Sequence, residues 1–162
     1  MESNNKKTSI GVKPENLAEI AQSLNRLLAD ETVLYIKTRN AHWNVEGPDF
    51  HAMHVFFEEQ YHQLEEFIDD VAERVRMLGH YADATLKAYL ELTHLTEETR
   101  GKNNSAGFIK ALLEDHQTII IHMREHIDRF SDELHDQGTS DFINGLIEKH
   151  EKMTWMLRAH LK

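Results

Sequence analysis

Apolar residues recur along this chain at intervals of three and four, and nowhere alternate over the length of a strand, so the pattern is helical throughout. From Pro14, a residue suited to a first helical turn, the positions Leu17, Ile20, Ala21, Leu24, Leu27, Leu28, Val33 and Leu34 predict one long helix reaching about Trp43. Asn44-Val45-Glu46-Gly47-Pro48 interrupts the repeat, and Asp49 stands where a second helix needs its cap. That helix runs to about Leu78 through Met53, Phe56, Phe57, Leu64, Phe67, Ile68, Val71 and Val75, and Gly79 is placed to stop it. His80 to Asn104 is a long connection, with a short helical stretch from Asp83 to Leu90 and a cap expected at Thr96. A third long helix starts near Ser105 and runs to about Leu134 through Ile109, Leu112, Leu113, Ile119, Ile120, Met123 and Ile127. Gly138 breaks the pattern, Thr139 or Ser140 is expected to cap a fourth helix, and that helix ends near Leu161.

The fold class is therefore all-α. Two short loops force antiparallel neighbours, and one long crossover joins the two pairs. This connectivity resembles the ferritin-like four-helix bundle with one long crossover carrying a short extra helix, not a simple up-down-up-down bundle. Residues 14–162 are expected to form one domain, and residues 1–13, with Lys6 and Lys7, a flexible N-terminal arm.

Composition narrows the function. There is no cysteine, which excludes disulfides, thiolate metal sites and thiol catalysis and fits a cytoplasmic location. No run of about 18 apolar residues is long enough for a membrane span, and Met1 to Pro14 lacks the apolar core of a secretory signal. The 28 acidic against 18 basic residues give a net charge of −10, which repels nucleic-acid phosphates and attracts cations. Histidine is unusually frequent, at 12 residues, and is a common metal ligand.

Five side chains draw attention: His42, His54, Glu58, Asp69 and Glu73. Four lie on the second helix. At about 100° per residue and with His54 at zero, Glu58 falls at about 40°, Asp69 at about 60° and Glu73 at about 100°. His54/Glu58 and Asp69/Glu73 are each one turn apart, so each pair can reach a common ion. His54 and Asp69, however, are separated by about 22 Å of helix axis, against metal–ligand bonds of about 2.0–2.3 Å. The two pairs cannot share an ion within one chain. Two copies of the helix, antiparallel about a dyad near Gln63 and Leu64, permit it. Spacing alone permits equally a solvated acidic face, since Glu59, Glu65, Glu66 and Asp70 lie on the same helix.

The stretch from Asn40 to Gly79 shifts the balance. Asn40-Ala41-His42-Trp43-Asn44-Val45-Glu46-Gly47, Phe50, His54, Asp69-Asp70-Val71-Ala72-Glu73-Arg74 and Leu78-Gly79 together resemble the Dps family of mini-ferritins. The wider resemblance runs from about residue 15 to 161 and includes the region of Trp155. It implies a ferroxidase site in which His42, His54 and Glu58 of one subunit face Asp69 and Glu73 of its two-fold mate; the family often has Asp where Glu58 stands. It further implies a hollow homo-dodecamer built from two-fold dimers, with Fe(II) and hydrogen peroxide as substrates, Fe(III) stored inside, and protection from oxidative stress. Mixed imidazole and carboxylate ligands suit iron, and also zinc or manganese. Trp43 is a neighbour of the site or an ordinary core tryptophan.

Other features fall around this reading. Asp132, Asp136 and Asp141 resemble the family's acidic three-fold pore, or else form a solvated loop. An intrachain di-iron centre needs Glu-x-x-His on two helices; Glu59-x-x-His62 and Glu91-x-x-His94 occur, but the fourth helix has none. His62 sits near the expected dyad. His122 and His126, one turn apart, read as surface histidines, as does His51. DNA binding, and with it nucleoid association, is the family's namesake property and the alternative function. The arm offers only Lys6, Lys7 and Lys13 against Glu2 and Glu15, and the chain ends at Lys162 without a basic tail.

Overall fold

The computed structural model describes residues 8–97 and 101–162. Four long α-helices carry the fold: α1 (Pro14–Asn44), α2 (Phe50–Met77), α4 (Ser105–Asp128) and α5 (Gln137–Ala159), with a short α3 (Leu86–Leu92) in the crossover. Among the described residues there is no strand, only an isolated bridge between Glu46 and Asn104, and no helix long and apolar enough to cross a membrane.

α1 begins with Pro14 in its first turn, where the missing N–H costs nothing. Its buried stripe from Leu17 to Ala41 packs mainly on α2. Gly47 makes the turn between the two helices at φ 134°, a conformation that side-chain-bearing residues rarely adopt. Asp49 occupies the cap position of α2, but its side chain makes no capping bond. Gly79, at φ 85°, follows the helix end, and a Cβ there would collide with Thr8. Residues 8–13 therefore pass against the bundle, where Val12 packs on the core. Lys6 and Lys7 of the expected arm lie outside the described residues.

Buried polar residues of α1 hold the crossover. The Asp30 carboxylate accepts from the Thr93 hydroxyl at 2.7 Å, the His94 backbone N–H at 2.6 Å and His94 Nδ1 at 2.9 Å. Asn25 donates to the Tyr81 carbonyl at 3.2 Å and accepts from the Asp83 N–H at 2.9 Å. Lys37 donates to the Thr96 carbonyl at 3.0 Å. Thr96 is thus an anchor point and not a cap: Asn104 caps α4, accepting from the Gly107 N–H at 2.8 Å. α3 starts three residues later than its periodicity predicts because Thr85 caps it, accepting from the Ala88 N–H.

α4 does not run on to Leu134 as an α-helix. It passes into a π-helical turn at Arg129–Glu133, which buries Phe130. His135 then takes a positive φ of 57°, and Asp136 caps α5 by accepting from the Thr139 N–H at 3.0 Å. The break lies at His135, and Gly138 falls inside the first turn of α5. Phe57, Phe67, Phe130, Ile20, Leu24, Leu34 and Leu64 are almost wholly buried at the centre, each worth about 1.5–3 kcal/mol of transfer free energy.

Candidate metal centre

The turn between α1 and α2 brings His42, near the end of one helix, against His54, in the second turn of the next. His42 Nδ1 lies 2.8 Å from the His54 carbonyl oxygen, and His54 Nδ1 lies 2.8 Å from the His42 carbonyl oxygen. A carbonyl only accepts, so each Nδ1 carries the proton and donates it. The tautomer of both rings is thereby fixed, and in the neutral form each Nε2 keeps its lone pair for a ligand. The rings stack at 3.8 Å with 19° between their planes. The α1–α2 pairing itself therefore presents two oriented imidazoles.

Glu58 follows one turn after His54, half-buried. The Tyr61 hydroxyl hydrogen-bonds it, and the Tyr61 ring stands edge-on to His42 at 5.2 Å. Burial, and then the charge of Glu58, raise the phenol pKa above its ordinary value of 10, so Tyr61 stays a donor toward the carboxylate. The Arg39 guanidinium covers the faces of Tyr61 at 4.4 Å and Trp43 at 4.7 Å and donates to the Tyr35 hydroxyl at 2.9 Å. Trp43 is 62% exposed. It is no core tryptophan; it follows His42 in the chain and has one face on Arg39.

Asp69 and Glu73 are exposed farther along α2, which is unbroken from Phe50 to Met77. The chain brings His42 and His54 together, sets Glu58 one turn farther along α2, and leaves the two distal acids apart. Among the described residues of the single chain, no three His, Asp or Glu side chains converge as a metal cage. His62, exposed on the same stripe, lies 4.0 Å from Glu58 and 3.7 Å from Glu65.

The three acids near the start of α5 divide. Asp132 and Asp141 are exposed. Asp136 is buried, with its carboxylate committed to capping Thr139 and to Arg74 at 3.4 Å. Its carboxylate is thus engaged inside its own chain, unlike the exposed Asp132 and Asp141. His122 and His126 also depart from the expected surface placement: both are half-buried, and His122 stacks on His94 at 3.9 Å.

One constellation has no counterpart among the expected sites. Glu31 of α1, His116 of α4 and His150 of α5 form a hydrogen-bonded chain inside the bundle. His150 Nε2 is 2.7 Å from Glu31 Oε1, and its Nδ1 is 2.8 Å from His116 Nδ1. All three are essentially inaccessible. Burial, and then His150, push the His116 pKa well below the usual histidine value. His150 Nε2–H donates to the Glu31 carboxylate, and of the two facing Nδ1 atoms one donates and the other accepts. The signal for it was present: each residue falls on the apolar stripe of its helix. A di-iron bundle core projects several carboxylates inward. Here Glu31 binds His150, and the neighbouring Asp115 is ion-paired with Lys37, so this interior does not fit such a centre.

Known proteins share this architecture. The ferritin-like domain family matches residues 21–162. An uncharacterized low temperature-induced protein of Nostoc sp. is 41% identical over 154 residues, covering 95% of this chain and 86% of the relative. The DNA protection during starvation protein 2 of Bacillus anthracis is 34% identical, covering 88% of this chain and 97% of the relative. The crystal structure of the Dps protein from Vibrio cholerae O1, a member of a broad superfamily of ferritin-like diiron-carboxylate proteins, superposes with a TM-score of 0.90 at 32% identity and covers 99% of this chain and all of that one. A helical bundle with one long crossover, a histidine pair clamped across its first two helices, and relatives matching almost end to end identify the chain as a member of the Dps family within the ferritin-like superfamily.

Proposed function

We propose that the protein is a ferroxidase and iron-storing mini-ferritin whose reaction site is completed between two subunits. The observation that carries this reading is the reciprocal clamp of His42 and His54. It spends each Nδ1–H on a carbonyl and leaves two stacked rings with free Nε2 atoms beside Glu58. Two neutral imidazoles and a carboxylate bind Fe(II) well, and added carboxylates favour the harder Fe(III) product. Asp69 and Glu73 supply those carboxylates from a two-fold mate whose α2 runs antiparallel. Their exposure on the same face of an unbroken helix supports this.

In the reaction Fe(II) is the substrate and hydrogen peroxide the oxidant. Two Fe(II) ions each lose one electron to the peroxide, its O–O bond breaks, and two protons complete two waters. His42 and His54 hold and orient the metal through Nε2. Glu58 offsets its charge, with Tyr61 fixing the carboxylate by a hydrogen bond. The net charge of −10 per chain draws Fe(II) toward the protein, and the product is stored in a dodecameric shell. The family's diiron-carboxylate character supports iron as the metal. Stopped-flow Fe(II) oxidation with the paired substitution His42→Ala and His54→Ala tests the assignment. The rate is expected to drop by roughly 100-fold, the upper range for loss of supporting metal contacts, while the assembly keeps its mass. Oxidation at the wild-type rate by a correctly assembled variant overturns it.

A further inference from the structure

We propose a second metal site on each chain, formed by His94, His122 and His126 with Asp30 behind them, that takes a borderline divalent cation of the zinc class. The four side chains line a cavity of about 20 Å³ between α1, the crossover and α4, a volume sized for one water or one ion.

The geometry repeats that of the histidine pair already described. His94 and His122 stack at 3.9 Å with 20° between planes, against 3.8 Å and 19° for His42 and His54. In both pairs each Nδ1 is held by an oxygen acceptor: His94 Nδ1 donates to Asp30 Oδ2 at 2.9 Å, and His122 Nδ1 to Glu125 Oε2 at 3.3 Å. Both Nε2 atoms are again left as lone-pair donors, and an Asp–His contact of this kind orients and strengthens a metal-binding imidazole. The third ring adds an independent observation. His126 Nδ1 is buried without any hydrogen-bond partner, a costly state that a bound cation relieves. His122 and His126 are one turn apart on α4, the spacing by which two helical histidines grip one metal.

As placed, the three rings stop short of a common point. Closure needs rotation of the half-buried His122 and His126, the latter now lying flat on Phe130 at 5.2 Å. Three imidazoles without a carboxylate in direct contact favour zinc-class ions over Fe(III). Arg26 lines the same cavity together with Asp30, and Glu125 adds a second carboxylate at His122. The site shares no residue with the proposed ferroxidase centre.

Zinc titration of the intact assembly by calorimetry provides the test, comparing wild type with the paired substitution His122→Ala and His126→Ala. The wild type is expected to bind one more zinc ion per chain than the variant. Asp30→Asn is expected to weaken that extra ion by about 10–100-fold. Helical content and the Fe(II) oxidation rate of the paired variant, unchanged, verify that fold and assembly survive. Equal stoichiometry and affinity in wild type and the paired variant overturn the proposal.

Discussion

A site shared by two subunits makes a quantitative prediction that no intrachain site makes. Let one version of the chain carry His42→Ala and His54→Ala, and another carry Asp69→Ala and Glu73→Ala. Each alone is expected to oxidise Fe(II) at a small residual rate, since every site in either assembly lacks half its ligands. When the two are co-expressed with different tags in equal amounts, the halves recombine. α2 is continuous from Phe50 to Met77, so His54 and Asp69 of one chain stay about 22 Å apart along its axis. The imidazoles of the second version can therefore meet acids only from a mate. Random pairing makes about half of the dimers mixed, and each mixed dimer has one complete and one doubly damaged site, so about one quarter of wild-type activity returns under isologous symmetry. Stopped-flow absorbance at the ferric band reads the rate, and the two tags isolate mixed assemblies. Recovery to about a quarter supports the shared site. A mixed assembly no faster than its parents refutes it, provided both parents assemble.

Three further outcomes follow from the buried contacts. His150→Leu strips the partner from Glu31, both 0% exposed, and is expected to cost about 3–5 kcal/mol, or roughly 6–20 °C in Tm for a chain of this size. Adding Glu31→Met is expected to restore most of that loss in thermal melts, and a double variant as unstable as the single one refutes the pairing. The depressed His116 pKa, caused by burial and then by His150, means the unfolded chain takes up a proton that the folded chain refuses once pH falls below about 6.5. Stability is present above that value and is lost as pH falls through it, so Tm at pH 5 is lower than at pH 7. His116→Gln flattens this slope, and an unchanged slope contradicts the assignment. Tyr61→Phe removes the donor to Glu58 and is expected to raise the half-saturating Fe(II) concentration by roughly tenfold, the low end of the about 1.5–3 kcal/mol for a hydrogen bond to a charged group because Glu58 is only half-buried; an unchanged value argues that Glu58 needs no such support.

The helices were legible because each buries one stripe, and apolar residues three and four apart share a face only when the backbone is helical. Their ends were less so, for a local reason. Asp136, Thr139 and Ser140 are all capping residue types, and which one caps depends on the backbone at His135, whose positive φ no pattern announces. Asp136 looks like a surface acid in the sequence, yet its carboxylate faces Thr139 and Arg74. The histidine pair was legible only as two motif positions. That each ring's Nδ1–H binds the other residue's carbonyl is set by how closely α1 and α2 pack. Likewise His94, in the crossover, meets His122 on α4 only because Asp30 ties the crossover down, a contact between residues 64 apart in sequence.

Under the proposed function, the buried polar chain accounts for iron chemistry at the subunit boundary and not in the core. A bundle of this class can host metal in its core, but such a core must keep several carboxylates unengaged and aimed at one point. Here α1 places Asp30, Glu31 and Lys37 in the interior, besides His42 of the histidine pair, and each of these three is engaged within the chain. Asp30 ties down the crossover through Thr93 and His94, Glu31 binds His150, and Lys37 pairs with Asp115 while holding the Thr96 carbonyl. A cation in the core opposes any bound metal, and the hydrogen bond between His116 and His150 takes up one nitrogen of each ring. Asp69 and Glu73 lie outside, on the exposed face of α2. In the proposed site one chain offers His42, His54 and Glu58, and Asp69 and Glu73 lie farther along α2. Under that reading assembly and catalysis are one requirement: a variant that keeps all five residues but blocks the two-fold contact is expected to fold and yet oxidise iron no faster than the ligand-deficient variants.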